Sequence, residues 1–347
     1  MTDRENTRFN GYVMRGDSPV AEVRNDMLIN ISPYAPLFLQ NRNDFAGWIR
    51  DRGADLGRSN MRIILKQFCL PLHDIDTAVR SVNAASVTDS FWIKSYDTNI
   101  SYNNVQFKTD IYAKAALCGD PDIFLLIKDR TPEITNIGSF NKGWKLKGGE
   151  WYLYKTGTAL EIFSELFASK LALNLGLDTV SYFIDDEYIV CKNFALPPWD
   201  FEPAKSIIGE SCDYMHVYSA LRALGLHKKY MDLIFMDAVV RNTDRHEFNF
   251  GFLTSFSGEI RLAPNFDNNL ALFCRGIPSN IERNDPLVND FIALRANICN
   301  EYHLPDLSPQ MVEQAFNETI REYPVDIAMD TTIQFCMNAY NKIKNLF

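Results

Sequence analysis

The chain has 347 residues, with 35 Lys and Arg against 44 Asp and Glu and a formal net charge of −9. Hydrophobic residues make up 46% and charged residues 23%. Those globular proportions exclude a disordered or fibrous chain and predict two or three units. The net acidity argues against a whole-surface nucleic-acid binder, which needs a basic face for phosphates, and leaves room for a local basic patch.

Seven cysteines are scattered without a CxxC pair, and the five histidines do not cluster at metal-ligand spacing. Reduced thiols acting as buried apolar fillers are expected, not a disulfide framework or a zinc site. The polar opening Met-Thr-Asp-Arg-Glu-Asn has no apolar core of a signal peptide. No apolar stretch reaches the about 18 residues of a membrane span. A soluble cytoplasmic protein with no membrane contact is the expectation.

Residues 1–118 carry no chemical motif and read as an accessory region. Val20–Val23 and Met27–Ile31 are extended candidates before Pro33 and Pro36. Asp74 has the place of a cap for a short helix bearing Ile75, Val79 and Val82 on one side. Near Pro121 the texture changes. After the apolar run Ile123–Ile127, the segments Lys142–Lys147 and Glu150–Lys155 flank Gly148-Gly149, a hairpin signal. Period-two alternation puts Lys155 on the face of Trp151 and Leu153, the side expected to be buried or to line a cleft.

Thr158 and Glu161 have capping-box spacing, and Gly176 supplies a stop, so a helix is predicted between them. Its apolar stripe includes Ile162, Phe163, Leu166, Phe167, Leu171 and Leu175, with Glu165 at the stripe's edge, where a carboxylate should seek a cation. Strands are expected over Thr179–Ile184 and Tyr188–Phe194, then a connector from Pro197-Pro198 to Ser211. The apolar run Tyr230–Val240 ends at Arg241-Asn242-Thr243-Asp244. A hairpin over Asn249–Ala263 turns at Ser257-Gly258, and the tail reads as helices broken at Pro305 and Pro324.

The chemistry concentrates in Asn242-Thr243-Asp244-Arg245-His246-Glu247-Phe248-Asn249, with Ala263-Pro264-Asn265-Phe266-Asp267 downstream. Phosphoryl transfer needs a carboxylate to orient or deprotonate the acceptor, and hard oxygen ligands for Mg²⁺ on the nucleotide phosphates. It also needs a cation for those phosphates, commonly a strand Lys paired with a helix carboxylate. Lys155 and Glu165 stand in that order. Arg245 reads as a solvated or phosphate-facing cation.

These motifs resemble the HipA-like Ser/Thr protein kinases of bacterial toxin–antitoxin systems and their stand-alone relatives. The N-x-D-x-H-x-x-N loop is present as Asn242, Asp244, His246 and Asn249, and the apolar-Pro-x-x-Asp motif as Ala263-Pro264 and Asp267. The phosphate loop Ser-x-x-Gly-x-x-x-Lys appears as Thr135, Gly138 and Lys142, and the helix pattern as Glu165 with Leu175-Gly176. The resemblance covers about 121–270. It implies an α+β, two-lobed protein-kinase-like fold: accessory region 1–118, strand-rich N-lobe 119–195 with phosphate loop and hinge, helical C-lobe 196–347.

It further implies ATP- and Mg²⁺-dependent phosphorylation of Ser or Thr on a protein, with translation components such as aminoacyl-tRNA synthetases as the class of target. Asp244 is implied as catalytic base, Asn249 and Asp267 as metal ligands, and Lys155, paired with Glu165, as holder of the α/β-phosphates. Gly138, Ser139 and Lys142 would cradle phosphate, and the hinge Val190–Phe194, with Lys192 and Phe194, would meet adenine through its backbone. His246 is either a catalytic group, as in the D-R-H-x-x-N loop of phosphoinositide-type kinases, or a brace for the loop. Autophosphorylation in the phosphate loop would fall on Thr135 or Ser139. The implied partners are a protein substrate and an antitoxin, with no direct nucleic-acid contact. The alternatives are a lipid or small-molecule kinase on the same scaffold and a catalytically silent nucleotide-binding scaffold protein.

Overall fold

The computed structural model describes residues 8–138, 140–211, 213–276, 280–281, 285–298 and 302–345. The chain forms two compact units. The first comprises Met1–Lys155, Lys192–Glu202 and Leu253–Ile260; the second comprises Thr156–Cys191, Pro203–Phe252 and Arg261–Phe347.

In the first unit β1 (Gly11–Arg15), β2 (Ser18–Arg24) and β3 (Met27–Ile31) make an antiparallel meander. Asn25 and Asp26 turn β2 into β3 with φ of 52° and 62°, left-handed values that Asn and Asp tolerate. β4 (Phe91–Ser95) returns to pair with β1, giving the order β3-β2-β1-β4. Helices α1 (Leu37–Arg42), α2 (Phe45–Asp51), α3 (Met61–Gln67) and α4 (Ile75–Ser81) lie between β3 and β4 in sequence. They share one core with the sheet, in which Val13, Leu39, Trp48, Ile64, Val79 and Trp92 are buried. Asp74 caps α4 by accepting from the Thr77 N–H at 3.0 Å, as its position predicts.

After α5 (Tyr102–Val105) and α6 (Ala113–Cys118), the apolar run begins in a short 3₁₀ turn, Pro121–Leu125. Ile123 is buried in the core, but Leu125 and Ile127 are more than four-fifths exposed. A second 3₁₀ turn, Pro132–Thr135, leads into β5 (Lys142–Lys147) and β6 (Glu150–Lys155). Their register is the one the sequence predicts, with Gly148 and Gly149 at φ of 60° and 84°. Positive φ at both turn positions matches the right-handed twist of a two-residue hairpin.

The second unit opens with α7 (Ala159–Asn174), capped by reciprocal bonds between Thr158 and Glu161. Its apolar residues Ile162, Phe163, Leu166, Phe167 and Leu171 are buried, each contributing about 1.5–3 kcal/mol. Glu165, expected at the stripe's edge, is fully buried with them. Hairpin β7 (Tyr182–Asp185) and β8 (Tyr188–Lys192) turns at Asp186.

The expected connector instead holds β9 (Trp199–Pro203) and α8 (Lys205–Ile208). The chain is ordered there by buried acids: Asp200 accepts from Arg15 at 2.7 Å, and Glu202 accepts from the Leu37 N–H at 2.9 Å, all within the first unit. Helices α9 (Tyr214–Ala223) and α10 (His227–Val240) follow, then strands β10 (Gly251–Ser255) and β11 (Ile260–Leu262). The tail forms α11 (Pro286–Asn297), α12 (Pro309–Glu322) and α13 (Met329–Lys344). Phe163 of α7 meets Phe316 of α12 edge-on at 5.8 Å, and Phe235 of α10 meets Tyr340 of α13 at 6.3 Å.

The cysteines are not uniformly fillers. Cys191 and Cys336 are buried, but Cys69 and Cys118 are exposed; Cys212 and Cys299 lie outside the described residues. No described helix is long and apolar enough to cross a membrane.

Candidate functional site

In the second unit the site grows from the end of α10. Asp237 is fully buried in an otherwise apolar helix, a position that a carboxylate holds only with a cation and full hydrogen bonding. Arg245 supplies both. Its Nε donates to Asp237 Oδ2 and its Nη2 to Asp237 Oδ1, each at 2.9 Å. Asn242 Nδ2 donates to the same Oδ1 at 3.0 Å.

Arg245 then reaches on to the Phe266 carbonyl at 2.7 Å, to Asn265 Oδ1 and Asn268 Oδ1 at 2.9 Å each, and to the Asn249 carbonyl. The expectation of a solvated or phosphate-facing cation is therefore corrected. Burial lowers the Arg245 pKa, but Asp237 and the further carboxylates Asp267 and Glu165 outweigh it and leave it above its ordinary value. One guanidinium joins α10, the Asp244 loop and the Asp267 segment.

Arg241, left-handed at φ 52°, turns the chain out of α10 into that loop. Asn249 Nδ2 donates to the Asp244 carbonyl at 2.8 Å and to Asp244 Oδ2 at 3.2 Å. The Asn249 side-chain hydrogen bonds both run through Nδ2, which leaves Oδ1 as an oxygen donor. His246 folds back so that its Nδ1 accepts from the Phe248 N–H at 3.2 Å. Burial raises the Asp244 pKa; His246 opposes that, Asp267 adds to it, and Asn249 and Arg245 oppose it. A carboxylate moved upward is a better proton acceptor near neutral pH.

Asp267 follows a short parallel bridge between Thr179 and Asn265, and its φ of 62° is left-handed. Non-glycine residues take that conformation uncommonly, and it concentrates at functional sites. Next to it, the Asn268 N–H donates to Glu165 Oε1 at 3.0 Å. Asn249 and, through it, Asp244 thus join the Arg245 network, Asp267 stands between its members Phe266 and Asn268, and Glu165 holds Asn268, all in one unit.

The first unit gathers the remaining candidates. Lys142 and Lys155 are direct partners across β5–β6, and both are buried. Side chains opposite one another in such a pair share a face, and like charges there are unfavourable in themselves. Gly138 has φ +115°, a conformation that favours glycine, and a Cβ there would stand 2.3 Å from Lys142 Nζ, the movable end of a flexible side chain. Ser139 lies outside the described residues.

Thr135 is buried, its hydroxyl donating to the Ala85 carbonyl at 2.7 Å. Phosphorylation there requires the hydroxyl to leave Ala85. At the expected hinge, Lys192 Nζ meets Glu150 Oε1 at 2.6 Å on the surface, and Phe194 packs edge-on against Phe201 at 5.4 Å. The Asn193 N–H donates to the Trp151 carbonyl at 2.8 Å.

Sequence reasoning missed Asp237, Arg58 and Glu133. An Asp inside the apolar run Tyr230–Val240 was a legible signal for a nearby cation. Arg58 had none, because the Asn136 and Gly138 carbonyls it holds lie 78 and 80 positions along the chain, and Glu133 had none because no pattern around it marks a buried acid. The oxygen donors Asn249 and Asp267 fit Mg²⁺, which takes few protein ligands and completes its shell with phosphate and water. Among the described residues, no three His, Cys, Asp or Glu side chains gather in a way that could hold a metal ion.

No family model and no curated protein matches the sequence. Among solved structures, the chain is similar to HipA in a complex of HipA, HipB and operator DNA from Shewanella oneidensis MR-1. That match covers 97% of both chains with a TM-score of 0.61 at 12% identity. The proinflammatory kinase CtkA of Helicobacter pylori also matches, over 58% of this chain and 90% of its own, with a TM-score of 0.41 and 16% identity. The chain therefore has an α+β, HipA-like kinase fold.

Proposed function

We propose that this chain is an ATP- and Mg²⁺-dependent kinase that phosphorylates Ser or Thr of a protein. The observation that carries the reading is the Arg245-centred network, which brings Asp244, Asn249 and Asp267 together on the HipA-like scaffold. Asp244 orients the acceptor hydroxyl and takes its proton as the new O–P bond forms and ADP departs. Asn249 and Asp267 would hold Mg²⁺, which supplies charge neutralisation on the phosphates. Lys155, with Glu165 as its carboxylate, would hold the α/β-phosphates, and Gly138 and Lys142 the loop end of the nucleotide. The backbone around Lys192 and Phe194 would meet adenine. His246 braces the loop through the Phe248 N–H, which favours a positioning role.

The test is transfer of labelled γ-phosphate to the chain itself or to a generic protein substrate. Asp244→Asn and Asp267→Asn should each lower it about 10²–10⁴-fold. Equal activity of wild type and variants would refute the site. Label in lipid or sugar alone would select a small-molecule kinase, and tight Mg-ATP binding without transfer a silent scaffold. Because the HipA neighbour is in a complex with HipB, an antitoxin-type protein partner in the cytoplasm is part of the proposal. Its co-purification with this chain is the check.

A further inference from the structure

The segment leading to Gly138 is anchored on the N-terminal region. The Ala54 N–H donates to the Ile134 carbonyl at 2.9 Å, and the Thr135 hydroxyl donates to the Ala85 carbonyl at 2.7 Å. Arg58 completes the attachment: its Nε donates to the Gly138 carbonyl at 2.6 Å, and its Nη2 donates to the Asn136 carbonyl. The Arg58 side chain is buried. Beneath the same loop lies Glu133, also buried, accepting from the Trp144 N–H at 2.9 Å and from Asn136 Nδ2 at 3.2 Å.

Peptide geometry turns this attachment into an orientation. A planar trans peptide sets each carbonyl opposite the following N–H. With the Asn136 carbonyl drawn to Arg58, the Ile137 N–H faces the other way. Backbone donors turned outward from a glycine-containing turn are what an anion needs. A planar guanidinium can grip two carbonyls at once, which a lysine ammonium does not reproduce.

We propose that Arg58 is a positioning residue for nucleotide binding: its grip on the Asn136 and Gly138 carbonyls holds the loop with its amides turned away from Arg58. The N-terminal region, which carries no motif, is then a working part of the nucleotide site. The proposal rests on reading Thr135–Lys142 as the phosphate loop.

Hydrogen exchange by mass spectrometry on the full chain tests it, with wild type, Arg58→Lys, and the charge-neutral pair Arg58→Met/Glu133→Gln. Loss of two hydrogen bonds should speed exchange over 134–138 by roughly tenfold or more, while exchange in β1–β4 stays at wild-type rates and reports an intact fold. Affinity for Mg²⁺ with a non-hydrolysable ATP analogue should fall by about tenfold in parallel. Unchanged loop exchange in both variants overturns the proposal, as does a loosened loop with wild-type nucleotide affinity. A wild-type chain that fails to bind the analogue overturns the phosphate-loop reading and the proposal with it. In that case accelerated exchange still shows that Arg58 holds the loop, so the two failures are distinguishable.

Discussion

Replacing Arg245 by Met removes the cation that pairs with the buried carboxylate of Asp237 and leaves it the Asn242 amide. An ion pair broken by deleting one buried partner costs about 3–5 kcal/mol, because the remaining charge keeps its desolvation penalty. The carbonyls of Phe266 and Asn249 and the side chains of Asn265 and Asn268 lose donors in the same step. Against a domain stability of about 5–15 kcal/mol, that is about a fifth or more of the total.

The chain offers a clean assay. Its five tryptophans are Trp48, Trp92, Trp144, Trp151 and Trp199, and all lie in the first unit. Urea unfolding followed by far-UV circular dichroism should move to lower denaturant in Arg245→Met, and by more than the tryptophan fluorescence transition does. The double variant Arg245→Met/Asp237→Met, which leaves no orphaned charge, should recover at least half of the loss. A single variant as stable as wild type, or a double variant no better than the single, would refute the account of Arg245 as the centre of the site.

Two more outcomes follow from the first unit. Burial pushes the Glu133 pKa from 4.5 to about 7, and does the same to Glu202. Both bind a proton on folding, so their contribution to stability is full below about pH 4.5 and is lost as pH rises through about 7, by up to about 3 kcal/mol per group. Fluorescence-detected urea melts across that window should show the slope, and Glu133→Gln should remove about half of it; an unchanged slope would count against the burial argument. Gly138→Ala forces a left-handed alanine at φ +115° against Lys142 Nζ, at a cost of about 1–3 kcal/mol. Nucleotide affinity measured by calorimetry should fall accordingly, and wild-type affinity would show that the loop does not carry phosphate.

What the sequence made legible was local. The Gly148-Gly149 hairpin, the Thr158/Glu161 capping box and the Asp74 cap each rest on contacts within a few residues, and the structure has all three. The catalytic-loop pattern likewise placed Asp244 and Asn249 within one turn of chain, where they hydrogen-bond. Misreadings came where distant partners decide. Glu165 looks marginal on a helical wheel, but it is sealed in against the Asn268 N–H, more than a hundred positions along the chain. The segment after Pro198 has weak local propensity, and β9 forms there because its acids meet Arg15 and the α1 amides. Arg245 looks solvent-bound until Asp237 is seen to be buried beside it.

Each unit brings like charges close together. Lys142 and Lys155 stand opposite one another in a strand pair, and Asp267 pushes the Asp244 pKa in the direction of neutrality. Paired lysines suit a polyanion, and neighbouring carboxylates suit a divalent cation. Under the proposed function Mg-ATP supplies both, so its stabilising effect should exceed that of either component. A ligand at a hundred times its Kd raises stability by about 2.7 kcal/mol. Thermal unfolding with Mg-ATP should show a shift of that order, with ATP alone or Mg²⁺ alone giving clearly less. Lys155→Met should cut the shift through the phosphates, and Asp267→Asn should reduce it to the value for ATP alone. If Mg-ATP shifts both variants as far as wild type, the proposed phosphate role of Lys155 and metal role of Asp267 are wrong.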